Sequence, residues 1–177
     1  LARLTDMLDK QDIRECLTRF SRGMDRLDRD IYISAFWEDG TMAAGPFVGN
    51  PADCWEWASA MHPDWQILTH HDLLNTTIEI DGDTAHSETY YIFVARNNDE
   101  SVWLAGGRYV DRLEKRGDEW RIALRTNAIE WSVNPAPMPL PFGDVPDLAE
   151  NGPIARDPGD ISYRRPLINL RKPHIPG

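Results

Sequence analysis

Apolar residues in the N-terminal segment recur at intervals of three and four, which is the spacing of a helix with one buried face. The stripe is formed by Ile13, Leu17, Phe20, Met24 and Leu27. Thr5 or Asp6 could cap the start of this helix. A second, short helix is predicted from about Asp30 to Trp37, because the turn sequence Glu-Asp-Gly follows it.

The next segment is divided by a proline. Residues 41–51, TMAAGPFVGNP, predict a short strand and a loop. Residues 51–62, PADCWEWASAMH, predict a third helix, because proline is favoured in a first helical turn, where its missing N–H costs nothing.

From Trp65 onward, long runs rich in Thr, Tyr, Val, Ile and Trp are separated by short polar turns. The runs cover residues 65–80, 84–97, 101–116 and 119–133. This pattern predicts an antiparallel meander. Helices followed by a sheet are typical of an α+β fold, and we expect one such domain over residues 1–132.

Prolines are concentrated in residues 133–177, and proline fits neither a helix interior nor a central strand. We therefore expect an extended tail that packs on the domain or on a neighbouring subunit. Several apolar residues argue against a disordered tail, namely Phe142, Tyr163, Leu167, Ile168 and Leu170.

Charge and composition narrow the classes of function. The 177 residues are 41% hydrophobic, which suffices for one domain with a core. The formal net charge of −10 repels phosphate groups, so we expect no nucleic-acid partner and no membrane partner. No apolar run is long enough to span a bilayer. The isolated Cys16 and Cys54 match no metal-ligand spacing, which favours a reducing, cytoplasmic location and no metal site.

The adjacent histidines in THHDLLN, residues 69–75, are the first candidates for chemistry. Alternate residues of a strand share a face, so the two histidines point in opposite directions. One face would carry Thr69, His71, Leu73, Asn75 and Thr77, and the other His70, Asp72, Leu74, Ile78 and Ile80. At most one histidine is expected in a pocket, and periodicity alone does not decide which.

Three stretches together resemble the nuclear transport factor 2-like superfamily, and more closely its SnoaL-like branch. They are SRGMDRLD with Asp25, the pattern HxxxN from His71 to Asn75 followed by IEIDGDTA, and GRYVDRLEKRGDEWRIALR ending at Arg125. The resemblance covers residues 8–131 and leaves the tail outside. It implies a cone-shaped α+β barrel, with N-terminal helices packed on a curved antiparallel sheet.

This branch includes hexachlorocyclohexane dehydrochlorinase, scytalone dehydratase and bile-acid 7-alpha-dehydratase. In these enzymes a helix-borne aspartate orients a histidine that removes a proton from the substrate. The resemblance implies that Asp25 is the orienting carboxylate and His71 the base. It also implies that Arg125 binds a leaving group or stabilises negative charge. A neutral imidazole accepts a proton near pH 7, and this chemistry requires no metal or organic cofactor.

The residues themselves leave an alternative to each of these assignments. For His71 the alternative is a structural histidine. At about 100° per residue, Asp25 lies off the apolar stripe and Asp28 lies nearer to it, so the helical wheel favours Asp28. Arg125 shares a strand face with Asn127, where a surface position is as consistent as a pocket position. His70 is expected to be structural.

Five residues are the candidates for contact with a substrate: Phe20, Trp57, Asn75, Tyr91 and Trp103. Ala105 and Gly107 would share the inward face of Trp103 and leave room for a ligand. The scytalone and bile-acid dehydratases use a first-helix tyrosine, whereas the comparable position here is Phe20 or Met24, neither of which donates a hydrogen bond. We therefore expect an elimination driven by the dyad, with little additional acid assistance.

The resulting hypothesis is a cofactor-independent lyase or isomerase that acts on a hydrophobic, ring-containing small molecule and forms a homo-oligomer, a dimer or trimer. Two alternatives belong to other classes of protein. One is a non-catalytic small subunit of a ring-hydroxylating dioxygenase-type complex, and the other is a protein that binds a hydrophobic ligand without converting it. An intact dyad separates the enzyme from both.

Overall fold

The computed structural model describes residues 2–139, 141 and 144–173, so Phe142 lies outside the described residues. The first helix, α1, covers Ala2–Arg26 and ends where Leu27 adopts a left-handed backbone conformation with φ of 50°. The N–H of Asp28 then donates to the carbonyl of Gly23 at 2.9 Å, which closes the helix end. The chain reverses here, and this reversal determines where the acidic residues of the helix end lie.

The two remaining helices are capped by side chains that precede them. Helix α2 covers Arg29–Ser34, and the Asp28 carboxylate accepts from the N–H of Ile31 at 3.1 Å. Helix α3 covers Pro51–Trp65, and Asn50 accepts from the N–H of Asp53 at 2.8 Å. The predicted proline in the first turn of α3 is confirmed.

The sheet has six strands in the order β2-β1-β6-β5-β4-β3, and it is curved and unclosed. The strands are β1 (Phe36–Ala44), β2 (Phe47–Gly49), β3 (Gln66–Asp81), β4 (Thr84–Asn97), β5 (Val102–Arg116) and β6 (Glu119–Val133). The last four form the predicted antiparallel meander, whereas β1 joins β6 in parallel. The α+β class is therefore confirmed.

The prediction was wrong at the end of the second helix. Helix α2 stops at Ser34 rather than Trp37, and the predicted turn at residues 38–40 lies inside β1. The pairing of β1 with β6 is irregular between Phe36 and Thr41, so these turn-forming residues occupy a bulge in the strand. Residues 38–40 are therefore turn-forming by type but lie within a strand.

A second bulge changes which residues of β3 face inward. Leu73 pairs with Tyr91, but Thr76 pairs with Thr89, so β3 holds one residue more than β4 over this stretch. Inward positions therefore continue through Thr76 instead of Asn75. The expectation that Asn75 shares the face of His71 is wrong, because one extra residue reverses every later side chain.

The predicted apolar stripe of α1 lies in the core, which forms between the helices and the concave face of the sheet. Ile13, Leu17, Phe20 and Met24 are each at most 3% exposed. The residues after β6 contain no further strand within the described part, only two short 3₁₀ helices, Leu148–Asn151 and Ile161–Tyr163.

Candidate functional site

Asp25 and His71 form a hydrogen-bonded pair between α1 and β3. The Nδ1 atom of His71 lies 2.6 Å from Oδ1 of Asp25, and the backbone N–H of His71 donates to Oδ2 at 2.9 Å. The two side chains are only 10% and 13% exposed. Since an ionised carboxylate only accepts, Nδ1 carries the hydrogen and Nε2 is the basic nitrogen.

Two hydroxyl groups attach this pair to the fold. Thr69 is fully buried and donates to Oδ1 of Asp25 at 2.9 Å. Ser21, one turn before Asp25 on α1, donates to the carbonyl of His71 at 2.7 Å. The last turns of α1 and the start of β3 are therefore joined around the imidazole. The sequence analysis did not assign Thr69 a role, although it shares the strand face of His71.

The surroundings of Asp25 keep it ionised. Burial raises the pKa of Asp25, but the charge of His71 and the hydrogen bonds from its ring and backbone, together with that from Thr69, outweigh burial and lower this pKa. A carboxylate that remains ionised can stabilise an imidazolium when His71 accepts a proton.

Asp28 has a different role from the one that the helical wheel suggested. One carboxylate oxygen caps α2, and the other accepts from the hydroxyl of Tyr163 at 2.7 Å. Asp28 therefore belongs to the junction between α1, α2 and the tail, and the alternative that pairs it with His71 is wrong.

The imidazole of His71 borders a cavity of about 770 Å³. Four of the predicted contact residues line it, namely Phe20, Trp57, Tyr91 and Trp103. The ring of Phe93 lies 4.8 Å from that of His71 and belongs to the same wall. A cavity of this size with aromatic walls can hold a ring-containing molecule.

Asn75 and Gly107 do not line this cavity. Asn75 is exposed beyond the β3 bulge, so the structure does not bring it to the site. Gly107 lies where β6 carries one residue more than β5, and a Cβ there would be 2.0 Å from the carbonyl oxygen of Ala128. Its glycine allows the strands to approach closely rather than making room for a ligand.

Arg125 lies in the core behind the cavity wall. Its guanidinium donates to both carboxylate oxygens of Asp111 at 2.7 Å, and neither side chain is exposed. The same guanidinium lies 4.1 Å from the ring centre of Phe20 and 4.4 Å from that of Tyr109, both of which line the cavity. The surface alternative is wrong, and the described lining does not include Arg125.

His62, on α3, also lines the cavity and was missed by the sequence analysis. Its Nδ1 is hydrogen-bonded to the amide oxygen of Gln66. Burial lowers the pKa of His62 to about 4 despite that hydrogen bond, so the ring is neutral at pH 7. The available signal was spacing, because His62 follows the buried Cys54 and Ala58 at successive intervals of four.

A second polar group is associated with Tyr91. Burial raises the pKa of Tyr91, against a hydrogen bond from the amide of Asn127, so its phenol remains protonated. The side-chain amide oxygen of Asn127, Oδ1, is buried and has no partner among the described residues. Both residues line the cavity, which therefore contains a hydroxyl and an unpaired acceptor.

Across residues 2–139, 141 and 144–173, no group of three or more His, Cys, Asp or Glu side chains could hold a metal ion. Over the same residues, no helix has both the length and the apolar character needed to cross a membrane.

The SnoaL-like domain family matches residues 5–126. Comparison with curated protein sequences gives no match. Among solved structures, that of a hexachlorocyclohexane dehydrochlorinase (LinA) Type2 is similar with a TM-score of 0.73 and 16% identity, covering 80% of this chain and 99% of that chain.

Two further structures show the same architecture. The hexachlorocyclohexane dehydrochlorinase LinA-type3 from Novosphingobium barchaimii LL02 gives a TM-score of 0.70 at 15% identity, with 77% of this chain and 96% of that chain covered. A candidate scytalone dehydratase from Novosphingobium aromaticivorans DSM 12444 gives 0.67 at 17% identity, with 78% and 96% covered. At these identities the likeness establishes the fold.

Proposed function

Because the chain belongs to the SnoaL-like domain family and the imidazole of His71, which is hydrogen-bonded to Asp25, borders a cavity with aromatic walls, we propose that this protein is a lyase for a hydrophobic, ring-containing small molecule. The observation that carries this proposal is the 2.6 Å contact between Nδ1 of His71 and the Asp25 carboxylate. That contact leaves Nε2 as a base beside the space that a ligand would occupy.

The proposed reaction is an elimination. Nε2 of His71 takes a proton from a ring carbon, and the electrons of that C–H bond form a carbon–carbon double bond. The leaving group departs from the neighbouring carbon with the electrons of its own bond. A departing hydroxide takes up the proton from the imidazolium of His71, so that water is released and Nε2 becomes a free base again. Asp25 stays ionised and stabilises the imidazolium, and no cofactor is needed for this step. Return of the proton to a different carbon would give an isomerase instead.

We assign Arg125 a positioning role. Its guanidinium stacks against Phe20 and Tyr109, so it holds two rings of the cavity wall in place while Asp111 balances its charge. The Tyr91 hydroxyl, which borders the cavity, is the better candidate for a hydrogen bond to developing negative charge on a substrate oxygen.

The polar groups of the cavity favour a substrate that carries a hydroxyl group. The buried side-chain amide oxygen of Asn127 has no partner among the described residues, and an apolar ligand would leave it unpaired at a cost of about 1–3 kcal/mol. A hydroxyl on the ligand would donate to it. Loss of water from a hydroxylated ring is therefore favoured over loss of chloride from a fully chlorinated one.

The proposal is tested with two kinds of probe. Six-membered cyclic β-hydroxyketones report dehydration by the absorbance of the enone product, and hexachlorocyclohexane reports elimination by chloride release. We expect turnover of a hydroxyketone, and we expect His71→Gln and Asp25→Asn each to lower kcat/KM by about 10²- to 10⁴-fold.

His70→Gln is the matched control, because His70 is the adjacent histidine and its side chain is exposed. This variant should retain the wild-type rate. A wild-type rate in His71→Gln would contradict the proposed role of the base. Tight binding of the probes without turnover of either would favour a ligand-binding protein.

A further inference from the structure

Residues 153–163 form a strap that crosses the C-terminal end of α1, outside the part of the chain that the SnoaL-like family covers. Its two ends are joined by a hydrogen bond from the N–H of Ile161 to the carbonyl of Pro153 at 2.9 Å. This hydrogen bond closes the strap into a loop, which lies against the turn that carries Asp25.

Arg156 makes the contact nearest to the dyad. Its Nε donates to the carbonyl oxygen of Asp25 and its Nη2 to that of Met24, both at 3.2 Å. The last carbonyl groups of a helix lack partners within the helix and carry partial negative charge, so a guanidinium is well suited to them. Arg156 therefore binds the backbone of the residue whose side chain orients His71.

The shape of the strap is set by Asp160, which is 3% exposed. Its carboxylate accepts from the N–H groups of Ala155 and Ser162 at 2.9 Å and pairs with Arg26 of α1 at 3.6 Å. Although burial raises the pKa of Asp160, these hydrogen bonds and the charge of Arg26 lower it to about 2. Asp160 thus remains ionised and holds Arg156 opposite the helix end.

The far end of the strap is attached to the same helix turn. The Tyr163 hydroxyl donates to Asp28 at 2.7 Å, and its ring lies 4.8 Å from the guanidinium of Arg22. Arg22 also reaches the Ser162 hydroxyl at 3.5 Å. Arg22 and Asp28, which precede and follow Asp25 in the chain, therefore both bind the strap.

Arg156 carries a cost that its packing does not explain. Its Nη1 is buried without a partner among the described residues, and burial lowers the pKa of Arg156 against the opposing charge of Asp25. Burying an unpaired donor costs its desolvation without the return of a hydrogen bond. Such costs are concentrated at functional sites, where the geometry matters more than stability.

We propose that the strap is a positioning element of the active site, in which Arg156 holds the last turn of α1 so that the Asp25 carboxylate stays in hydrogen-bonding register with His71. This inference rests on the proposed function, because the Asp25–His71 geometry affects turnover only if His71 is the catalytic base. Arg156 does not line the cavity, so it acts on kcat through Asp25 rather than on the affinity for a substrate.

The test follows the dyad directly and requires no substrate. With histidine labelled by ¹⁵N, the proton on Nδ1 of His71 should give a far-downfield resonance, assigned by its absence in His71→Gln. In Arg156→Gln we expect this resonance to move upfield and broaden towards its behaviour in Asp25→Asn. Arg156→Lys should restore part of the shift, because an ammonium can still donate to the carbonyl groups.

Arg171→Gln is the matched control, because Arg171 lies in the same tail and pairs with Asp147 at 2.8 Å, away from the dyad. It should leave the resonance unchanged. Should Arg156→Gln fail to fold, Asp160→Asn provides a second variant that disrupts the strap and should also shift the resonance. A wild-type resonance in folded Arg156→Gln or Asp160→Asn would overturn the inference.

Turnover separates this inference from the proposed function. With a hydroxyketone that the wild type converts, Arg156→Gln should lower kcat by about 10- to 100-fold and leave KM unchanged. A shifted resonance in a protein that converts no probe would support the strap and count against the lyase. A rise in KM at constant kcat would instead place Arg156 in substrate binding and contradict its positioning role.

Discussion

His62 is a histidine beside the cavity whose hydrogen-bond partner is an amide rather than a carboxylate. His62 has its Nδ1 bound to Gln66, and burial lowers its pKa to about 4. The unfolded chain therefore binds a proton at higher pH than the folded protein does. Acidification from about pH 6.5 to pH 4 should thus remove stability, since protonation over this window favours the unfolded state.

We expect His62→Gln to lose less of its free energy of unfolding than the wild type between pH 7 and pH 4. Urea titrations at the two pH values measure this difference. His86→Gln is the matched control, because His86 is exposed on β4 and should follow the wild type. An identical loss of unfolding free energy in His62→Gln and the wild type would show that folding does not lower the pKa of His62.

The strand pattern did not distinguish the two histidines, and only the family resemblance favoured His71. The helical wheel favoured Asp28, which does not pair with His71. The wheel assumed that the helix continues through Asp28. The left-handed Leu27 ends it two residues earlier, so Asp28 turns away to cap α2 while Asp25 faces β3. A left-handed leucine has no local sequence signal, because this conformation is disfavoured for that residue.

Among the elements, the close contact between α1 and α2 depends on Gly23, although glycine has a low helix propensity. A Cβ at Gly23 would lie 2.4 Å from the backbone nitrogen of Tyr32, which is fully buried. In an isolated helix Gly→Ala stabilises by about 1 kcal/mol. Here the helices approach too closely for that gain.

We expect Gly23→Ala to lower the free energy of unfolding by about 1–3 kcal/mol, the cost of overpacking a core. Chemical denaturation monitored by circular dichroism measures it. Thr18→Ala, at an exposed position of the same helix, should be within about 0.5 kcal/mol of the wild type. A stabilised Gly23→Ala would mean that the helices can separate without loss.

The strands that sequence reasoning located well are those whose apolar pattern is regular. The four-strand meander was predicted almost to the residue, because Val, Ile, Thr and Tyr alternate between short polar turns. The first part of β1, residues 36–40, and the irregularity near Asn75 were missed for one reason. A bulge adds a residue without changing composition, so it is determined by the partner strand and not by the local sequence.

At the scale of the whole molecule, the arrangement places the imidazole of His71, paired with Asp25, at the wall of a large cavity. Ala105 lines that cavity from β5, and its side chain is small enough to leave space in front of Phe93, with which it pairs across the sheet. Filling this space should exclude a ligand without touching the Asp25–His71 contact.

We therefore expect Ala105→Phe to lose binding of the apolar fluorescent probe 1-anilinonaphthalene-8-sulfonate while the Nδ1 proton resonance of His71 is preserved. Fluorescence titration measures the binding. Ala149→Phe makes the same change at an exposed position of the tail and should bind the probe like the wild type. Undiminished binding by Ala105→Phe would place the probe on another surface.

The position of the strap, far along the chain from the helix that it holds, has a consequence for synthesis. The segment that the SnoaL-like family covers is complete at residue 126, but Arg156 and Asp160 are added later. At translation rates of about 5–20 residues per second, several seconds separate the two events. A nascent chain can thus collapse around its sheet first, and the carboxylate at the helix end acquires its final backbone support only after the ribosome has added the strap.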